Sequence, residues 1–337
     1  MIPVLTPYFP KEMRKKILKE LDSIMESGWV GMGPKVQELE EKWAKYTGAK
    51  YAVAVNSCTS ALDIAVRIVG FSKYTPVKVS AFTFISSALA PLNAGYEVQF
   101  VDINEETLTT HESDIQVMYA GNISGKGKIY DMAHCGGYKH LGLVSCWSFH
   151  AVKNLPTGDG GMLTTNDKKL YLRAKALSWC GIDKSTYARN KGKYSWDYNI
   201  NEPGLKAHMN DMTAVVALEQ LKELDKGNLH RKMLAHAYEQ YLPKSIKRPY
   251  KSSTWHLYTI QVPRRNQLYD YLAENGISCG LHYKPLHFYK FFKNNTPLPV
   301  TEKVFKHIIS LPIHRKLQVK DVKRICQLIS AFYSKKS

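Results

Sequence analysis

The stretch Y-A-V-A-V-N-S-C-T-S-A-L-D-I-A-V (51–66) decides the fold class. Tyr51-Ala52-Val53-Ala54-Val55 is a short β-prone run, and after Asn56-Ser57-Cys58-Thr59-Ser60 the apolar residues continue through 61–66 as a helix. A strand feeding a Ser/Thr turn that opens a helix is one βα unit. The turn has two readings that use the same groups. Its hydroxyls cap the helix, or the first backbone N–H groups, which have no partners inside the helix, hold an anion such as a phosphate through Cys58, Thr59 and Ser60.

Outward from this unit the alternation repeats. A strand over 77–79 leads through Ala81-Phe82-Thr83-Phe84 into a helix over 85–93 ended by Gly95, and further strands are predicted over 98–102, 115–119 and 128–131. Alternating strands and helices predict an α/β fold with a mainly parallel central sheet flanked by helices. Ligands of such sheets sit beyond the carboxyl ends of strands, where Asp131 and the 57–60 turn both fall. Two helices precede the sheet. One covers 11–26, with Met13, Ile17, Leu21 and Met25 four apart, and the other covers 34–46, opened by Pro34 and stopped by Gly48. Helices over 168–180 and 211–226 enclose a polar, aromatic-rich loop (183–208), long enough to be functional or interfacial. The texture changes after Leu234. A helix over 229–241, strands over 256–262 and 278–282 and helices over 266–275 and 320–333 predict a small C-terminal α/β domain (231–337) beside a large one (1–230).

The chemistry concentrates in 131–161, which holds D-M-A-H (131–134), S-F-H-A-V-K-N (148–154) and G-D-G-G (158–161). An apolar run, Leu143 to Phe149 in sequence, would carry Lys153 to a sheet edge, and the Gly-rich turn behind it bends tightly. A lysine whose surroundings lower its pKa is a nucleophile for carbonyl carbons. A surface lysine in a loop is the plain alternative in a chain with 47 Lys plus Arg.

Composition bounds the partners. The 337 residues are 44% apolar and 23% charged, those of an ordinary globular protein. There is no membrane-spanning apolar run and no secretory leader in Met1-Ile2-Pro3-Val4-Leu5, which together predict a cytoplasmic protein. The six cysteines are scattered with no C-x-x-C pair, which fits a reducing compartment and argues against a disulfide framework or a metal site. The net charge of +18 predicts an anionic partner. The basic residues are dispersed, with short runs at Arg14-Lys15-Lys16 and Lys335-Lys336 and no stripe interleaved with aromatics. That pattern favours a phosphorylated small molecule over nucleic acid.

In this order the motifs resemble the DegT/DnrJ/EryC1/StrS family of pyridoxal-phosphate-dependent nucleotide-sugar aminotransferases over nearly the full length. To those above are added S-G-W-V-G-M-G-P (27–34), N-S-C-T-S-A-L (56–62), A-F-T-F-I-S-S-A (81–88), G-L-K-A-H-M-N-D (204–211), H-Y-K-P-L-H (282–287) and L-P-I-H (311–314). The resemblance implies a fold-type I aminotransferase, a homodimer with its active site at the subunit interface. The cofactor would be pyridoxal 5'-phosphate, the amino donor L-glutamate and the acceptor a keto sugar on a nucleoside diphosphate. Lys153 would carry the cofactor as a Schiff base and move protons, Asp131 would pair with the ring nitrogen, and His134 would lie near the ring face or its O3'. Ser57, Cys58, Thr59, Ser60 and Ser148 would bind the phosphate, Phe84 would stack on the ring, and Lys206 would reach the partner subunit's cofactor phosphate. Trp29, His208, His282 and Tyr283 are candidate substrate contacts, and an ordinary surface or packing role is the plain reading of each. Tyr130 and Met132 depart from the family pattern. The segment between Asp102 and Asp131 is shorter than in relatives, which puts its packing in question.

Alternatives remain within and outside this reading. The same fold serves aminotransferases of cyclitols and dehydratases in which histidine replaces the lysine; Lys153, with His150 three residues before it, favours transamination. A non-catalytic basic binding protein is the reading from a different class.

Overall fold

The computed structural model describes residues 1–184, 196–248, 254–292 and 296–334; the 183–208 loop and the Lys335-Lys336 run therefore lie partly or wholly outside the described residues. Seven strands form the main sheet: β1 (Tyr51–Val55), β2 (Val77–Ser80), β3 (Val98–Val101), β4 (Ile115–Val117), β5 (Ile129–Asp131), β6 (Val144–Ser148) and β7 (Gly161–Thr165). Their order is β1-β7-β6-β5-β4-β2-β3. β7 runs against both its neighbours, and the other pairings are parallel, as the alternating pattern predicted.

Helices cover both faces. Along β1, Val53 and Val55 enter a core shared with α3 (Cys58–Val69) and α5 (Lys168–Ser178). Ala52 and Ala54 enter one shared with α2 (Pro34–Thr47) and α6 (Asp211–Leu221). A strand buried on both faces reads as a continuous apolar run, which is how 51–55 reads. α1 (Lys11–Ser27) buries Met13, Ile17 and Ile24 and stops at Gly28, whose φ of 70° is the left-handed conformation of a helix end. The sequence shows how α2 begins, at Pro34, but not what caps it. Asp211, 178 residues from Gly33, accepts the N–H groups of Gly33, Lys35 and Val36 at 2.9, 3.1 and 3.0 Å.

A second, two-stranded sheet pairs β8 (Tyr258–Gln261) with β9 (Ile308–Leu311). It packs with α7 (Leu224–Tyr241), α8 (Arg265–Glu274) and α10 (Val319–Ser334) through Leu234, Tyr238, Ile260, Leu268, Ile309 and Ile325. Ile2 and Leu5 of the N-terminus lie against this core.

Four sequence expectations differ from the structure here. The helix predicted over 211–226 breaks after Leu221, where Glu223 N–H turns back to Gln220 O and its carboxylate meets Arg315 at 2.9 Å; a tertiary contact sits at the break, which periodicity cannot show. The strand predicted over 278–282 is reduced to single bridges, Ile2 with Ile277 and Gly280 with Ser310. Beyond Gly280 the chain leaves the sheet and brings His282 and Tyr283 to the main-sheet cleft. α9 (Pro299–His307) and β9 were not predicted. The first turn of α9 is held by Asp102, which follows β3 and accepts from the amides of Val300 and Thr301 at 2.9 and 2.7 Å.

The short segment before Asp131 packs in an unexpected way. β4 and β5 are parallel, yet only residues 118–128 join them, with one 3-10 turn (Tyr119–Gly121) and no α-helix. Crossovers of this kind usually carry a helix. Here the fully buried Gln116 anchors the flanking loops instead. Its Nε2 donates to the carbonyls of Thr110 and Ser124, both at 2.9 Å, and its Oε1 accepts from the hydroxyls of Thr110 and Ser113, both at 2.7 Å. Gly125 and Gly127 let the loop lie on this amide. A Cβ would fall 2.2 Å from Gln116 Nε2 at the first and 2.7 Å from Gln116 Cβ at the second.

Candidate active site

A cavity of about 310 Å³ opens beyond the carboxyl ends of β1, β2, β5 and β6. That volume is at the small end of the range for cofactor sites. Lining it are Ser57, Cys58, Thr59, Phe84, Asp131, His134, Ser148, Lys153, His282 and Tyr283, all singled out in the sequence. Parallel strands bring their carboxyl ends to one edge, so residues from Ser57 to Lys153 converge there, and His282 and Tyr283 join them from the segment after Gly280.

The 57–60 turn caps α3 with one set of atoms and leaves another set facing the cavity. Ser57 Oγ caps α3 by accepting from Ser60 N–H at 3.1 Å. Ser60 Oγ turns away to Asn56 Oδ1 at 2.7 Å, and Ser60 does not line the cavity. The cap leaves the amides of Cys58 and Thr59 with no helical acceptor, at the end of α3 that attracts anions. Thr59 Oγ1 lies 2.7 Å from Ser86 Oγ at the same rim. Gly161 allows this turn to sit directly on β7: a Cβ there would fall 2.5 Å from the Ser57 carbonyl carbon.

Asp131 ends β5 and is 7% exposed. Burial pushes its carboxyl up, against the opposing pull of the Ser87 hydroxyl (2.7 Å), the Ala133 amide (3.0 Å) and Lys153. Cys58 Sγ approaches the other carboxylate oxygen at 4.0 Å. Ser87 lies in the quoted 81–88 motif but was not assigned a part, because nothing local shows that α4 (Ser86–Asn93) aims it at β5.

Lys153 follows β6 and faces Asp131 across the cleft. Burial lowers its ammonium from 10.5 to about 8, although the negative charge of Asp131 acts in the opposite direction. His134 is held in one tautomer. Its Nδ1 accepts from Ala120 N–H at 3.0 Å, so Nε2 carries the proton and donates to Tyr283 Oη at 3.1 Å. Burial, then Lys153 and His282, press the His134 pKa well below 6.5. His282 is lowered to about 4 by burial and Lys153, and its Nδ1 lies 2.9 Å from Ser310 Oγ. The imidazoles His134 and His282 are therefore neutral at pH 7 and serve as hydrogen-bonding groups. Phe84 leaves 58% of its surface open at the mouth, an apolar face with room for a ring against it.

Besides Ser60, three candidates lie outside this cavity. Trp29 donates through Nε1 to Met32 O at 3.2 Å beside the start of α2. Lys206 and His208 lie on the segment bridged to Trp179 and Val55; Lys206 Nζ sits 3.7 Å above the Trp179 ring and His208 packs edge-on to it. Residues not singled out as contacts complete the lining, among them Thr83, Ser86, His150 and Asp159. All four are inside quoted motifs, and the last two lie on either side of Lys153.

The family model of the DegT/DnrJ/EryC1/StrS aminotransferases matches residues 11–121 and 127–330, breaking only in the loop that lies on Gln116. The chain belongs to this family. The spore coat polysaccharide biosynthesis protein SpsC of Bacillus subtilis is 31% identical over 373 aligned residues, covering 96% of this chain and 96% of SpsC. Spr1654 of Streptococcus pneumoniae, in its PMP form, superposes with a TM-score of 0.88 at 25% identity over 99% of this chain and 100% of that one, and a PLP form is also known. PseC of Helicobacter pylori, an aminotransferase in pseudoaminic acid biosynthesis, shares the fold with a TM-score of 0.88 at 23% identity, over 99% of both chains.

As a DegT/DnrJ/EryC1/StrS family member the protein is a pyridoxal-phosphate-dependent sugar aminotransferase of fold-type I. The cleft fits that cofactor. It offers an anion-attracting helix end, an open aromatic face, a buried carboxylate for a cationic ring and an amine shifted toward neutrality. Among the described residues no helix is long and apolar enough to cross a membrane.

Proposed function

We propose that this protein transfers the amino group of L-glutamate to a keto sugar carried on a nucleoside diphosphate, in the cytoplasm, as a homodimer. One observation carries the proposal: Lys153, lowered to about 8, shares a single cleft with the buried Asp131. An amine with that pKa is partly neutral near pH 7 and able to bond a carbonyl carbon.

Bound pyridoxal phosphate supplies an electron-withdrawing ring that takes up the electron pair freed at the reacting carbon. Lys153 Nζ anchors it covalently between turnovers and, when released, moves the proton at that carbon. Asp131, fixed by Ser87 and Ala133, keeps a proton on the ring nitrogen. That proton relieves the cost of a carboxylate buried without a charge partner. The Cys58 and Thr59 amides with the Ser57, Thr59 and Ser148 hydroxyls hold the phosphate, and Phe84 covers the ring. His134 orients Tyr283, and His282 and Tyr283 face the incoming substrate from the far wall. Lys206, Trp29 and His208 lie outside this chain's own cleft, and we assign Lys206 to the partner subunit's cofactor phosphate and the other two to substrate. The net charge of +18 favours an anionic donor and a diphosphate-linked acceptor.

The test is incubation with glutamate and a panel of nucleotide-linked 3-keto and 4-keto sugars, following 2-oxoglutarate. Turnover of a cyclitol ketone with none of the keto sugars would overturn the substrate assignment and leave the chemistry. A visible cofactor band that survives Lys153→Ala would overturn the anchor.

A further inference from the structure

Asn154, next in the chain to Lys153, has no remaining hydrogen-bond donor capacity. Its Nδ2 donates to Asn228 Oδ1 at 2.8 Å and to Thr254 O at 2.9 Å, using both amide protons. Its Oδ1 must therefore be the acceptor from His256 Nδ1, 3.1 Å away. This fixes the His256 tautomer, with the proton on Nδ1. The His256 ring is 2% exposed and lies against the ring of His134, centroids 4.5 Å apart and tilted by 35°.

The same partners hold the 131–136 loop from its other end. Thr254 Oγ1 donates to His134 O at 2.7 Å, and Asn228 Nδ2 donates to Gly136 O at 2.8 Å. Lys153 and His134 belong to two loops of the main sheet. Both loops are tied to α7 and to the segment that leads into β8, and the tie closes on one side-chain amide. A flexible lysine reaches a reacting carbon only as accurately as its backbone is held, and small misplacements cost large factors in rate.

We propose that Asn154 and His256 are positioning residues. The hydrogen bond between them sets the Lys153 backbone. The inference rests on Lys153 as the cofactor's anchor. It predicts that the hydrogen bond, and not merely the ring's bulk, is what matters.

The experiment compares Asn154→Ala, His256→Phe and His256→Asn with wild type as cofactor-loaded dimers. It measures kcat and KM for the amino donor, the pH titration of the visible cofactor band, and the melting temperature. His256→Phe keeps a ring against His134 and loses the donor; His256→Asn keeps a donor near the same place and loses the ring. Asn154→Ala and His256→Phe are expected to lower kcat about tenfold to a hundredfold with KM within about twofold, and to move the midpoint of the band's titration. His256→Asn is expected to recover most of kcat and the wild-type midpoint. If His256→Phe matches wild type in kcat and midpoint while His256→Asn does not, ring packing is the cause and the proposal fails. It also fails if all three variants only melt earlier, with kcat and midpoint unchanged. A wild-type protein without a visible band overturns the anchor assignment first, and this inference with it.

Discussion

Ser87 and Asp131 are joined by a 2.7 Å hydrogen bond that runs from the first turn of α4 to the end of β5. Both are buried, Ser87 completely. The hydroxyl favours the charged carboxylate while burial disfavours it, so the pairing proposed for this acid with a cationic ring depends on this contact.

Ser87→Ala is therefore expected to raise the Asp131 pKa further and to lower kcat about tenfold, since a hydrogen bond to a charged group contributes about 1.5–3 kcal/mol. The fold should persist, because α4 keeps its apolar contacts. Steady-state kinetics across pH check this: the acidic limb of the rate profile should move upward. An unchanged limb and rate would show that Ala133 alone holds the carboxylate.

Lys153 gives a pH signature in the cofactor-free protein. Its folded value of about 8 lies below the ordinary 10.5, because burial penalises the ammonium. Below pH 8 both folded and unfolded states carry the proton, and the penalty is fully present. Between pH 8 and 10.5 the unfolded chain binds more proton than the folded one, so stability rises with pH until the penalty is gone. Lys153→Met should be more stable than wild type at pH 7, with the gap closing across that window. Urea unfolding of both cofactor-free proteins at several pH values measures it; a constant gap contradicts the assignment.

The paired glycines of G-D-G-G are not equivalent. A Cβ at Gly161 would meet backbone atoms of Ser57 and Cys58 at 2.5–2.7 Å, and these cannot move without opening the 57–60 turn proposed to hold the phosphate. A Cβ at Gly160 would meet side-chain atoms of Thr157, Met209 and Phe149 at 2.8–3.3 Å, which can yield. Gly161→Ala should weaken cofactor binding by about tenfold or more and Gly160→Ala by much less, on the view that one distorted anion contact costs about 1.5–3 kcal/mol. Cofactor titration of the two variants decides it, and equal losses would refute the distinction.

Local chemistry carried much of the fold. The 51–66 unit was legible because a doubly buried strand, a hydroxyl-rich turn and an apolar helix follow one another without interruption. The α2 start at Pro34 and stop at Gly48 were legible as backbone preferences. What escaped is held by partners far along the chain: Asp211 on the α2 amides, Asp102 on α9, Arg315 at the break after Leu221, His256 on Asn154. No window of sequence contains both members of such a pair. The cleft divides in the same way. Lys153, Asp131 and the 57–60 turn carry chemistry in their residue types, whereas Ser87 and His256 are a common serine and a common histidine until the fold aims them.

Gln116 shows how the short β4–β5 connection is tolerated. Gln116→Leu would leave the Thr110 and Ser113 hydroxyls and the Thr110 and Ser124 carbonyls without this amide. The expected loss is about 2–4 kcal/mol, the sum of a few buried polar groups left partly unpaired. Chemical denaturation of the cofactor-free protein checks it. A variant as stable as wild type would show that the loops close over the sheet without help from the amide.

Lys206 provides the test of subunit sharing. It is exposed, rests on Trp179 and does not line this chain's cleft. If it completes the partner subunit's site, a Lys206→Ala subunit retains its own Lys153 but deprives its neighbour of a phosphate contact. A Lys153→Ala subunit has the opposite defect. In a mixed dimer one site carries both defects and the other carries neither. Random reassociation of two such inactive variants puts half of the dimers in the mixed form, each with one intact site, so about a quarter of wild-type activity should return. Denaturing and refolding the two variants together, with each refolded alone as control, makes the measurement. Activity no higher than the average of the controls would place Lys206 outside any shared site and remove the interface from the catalytic account.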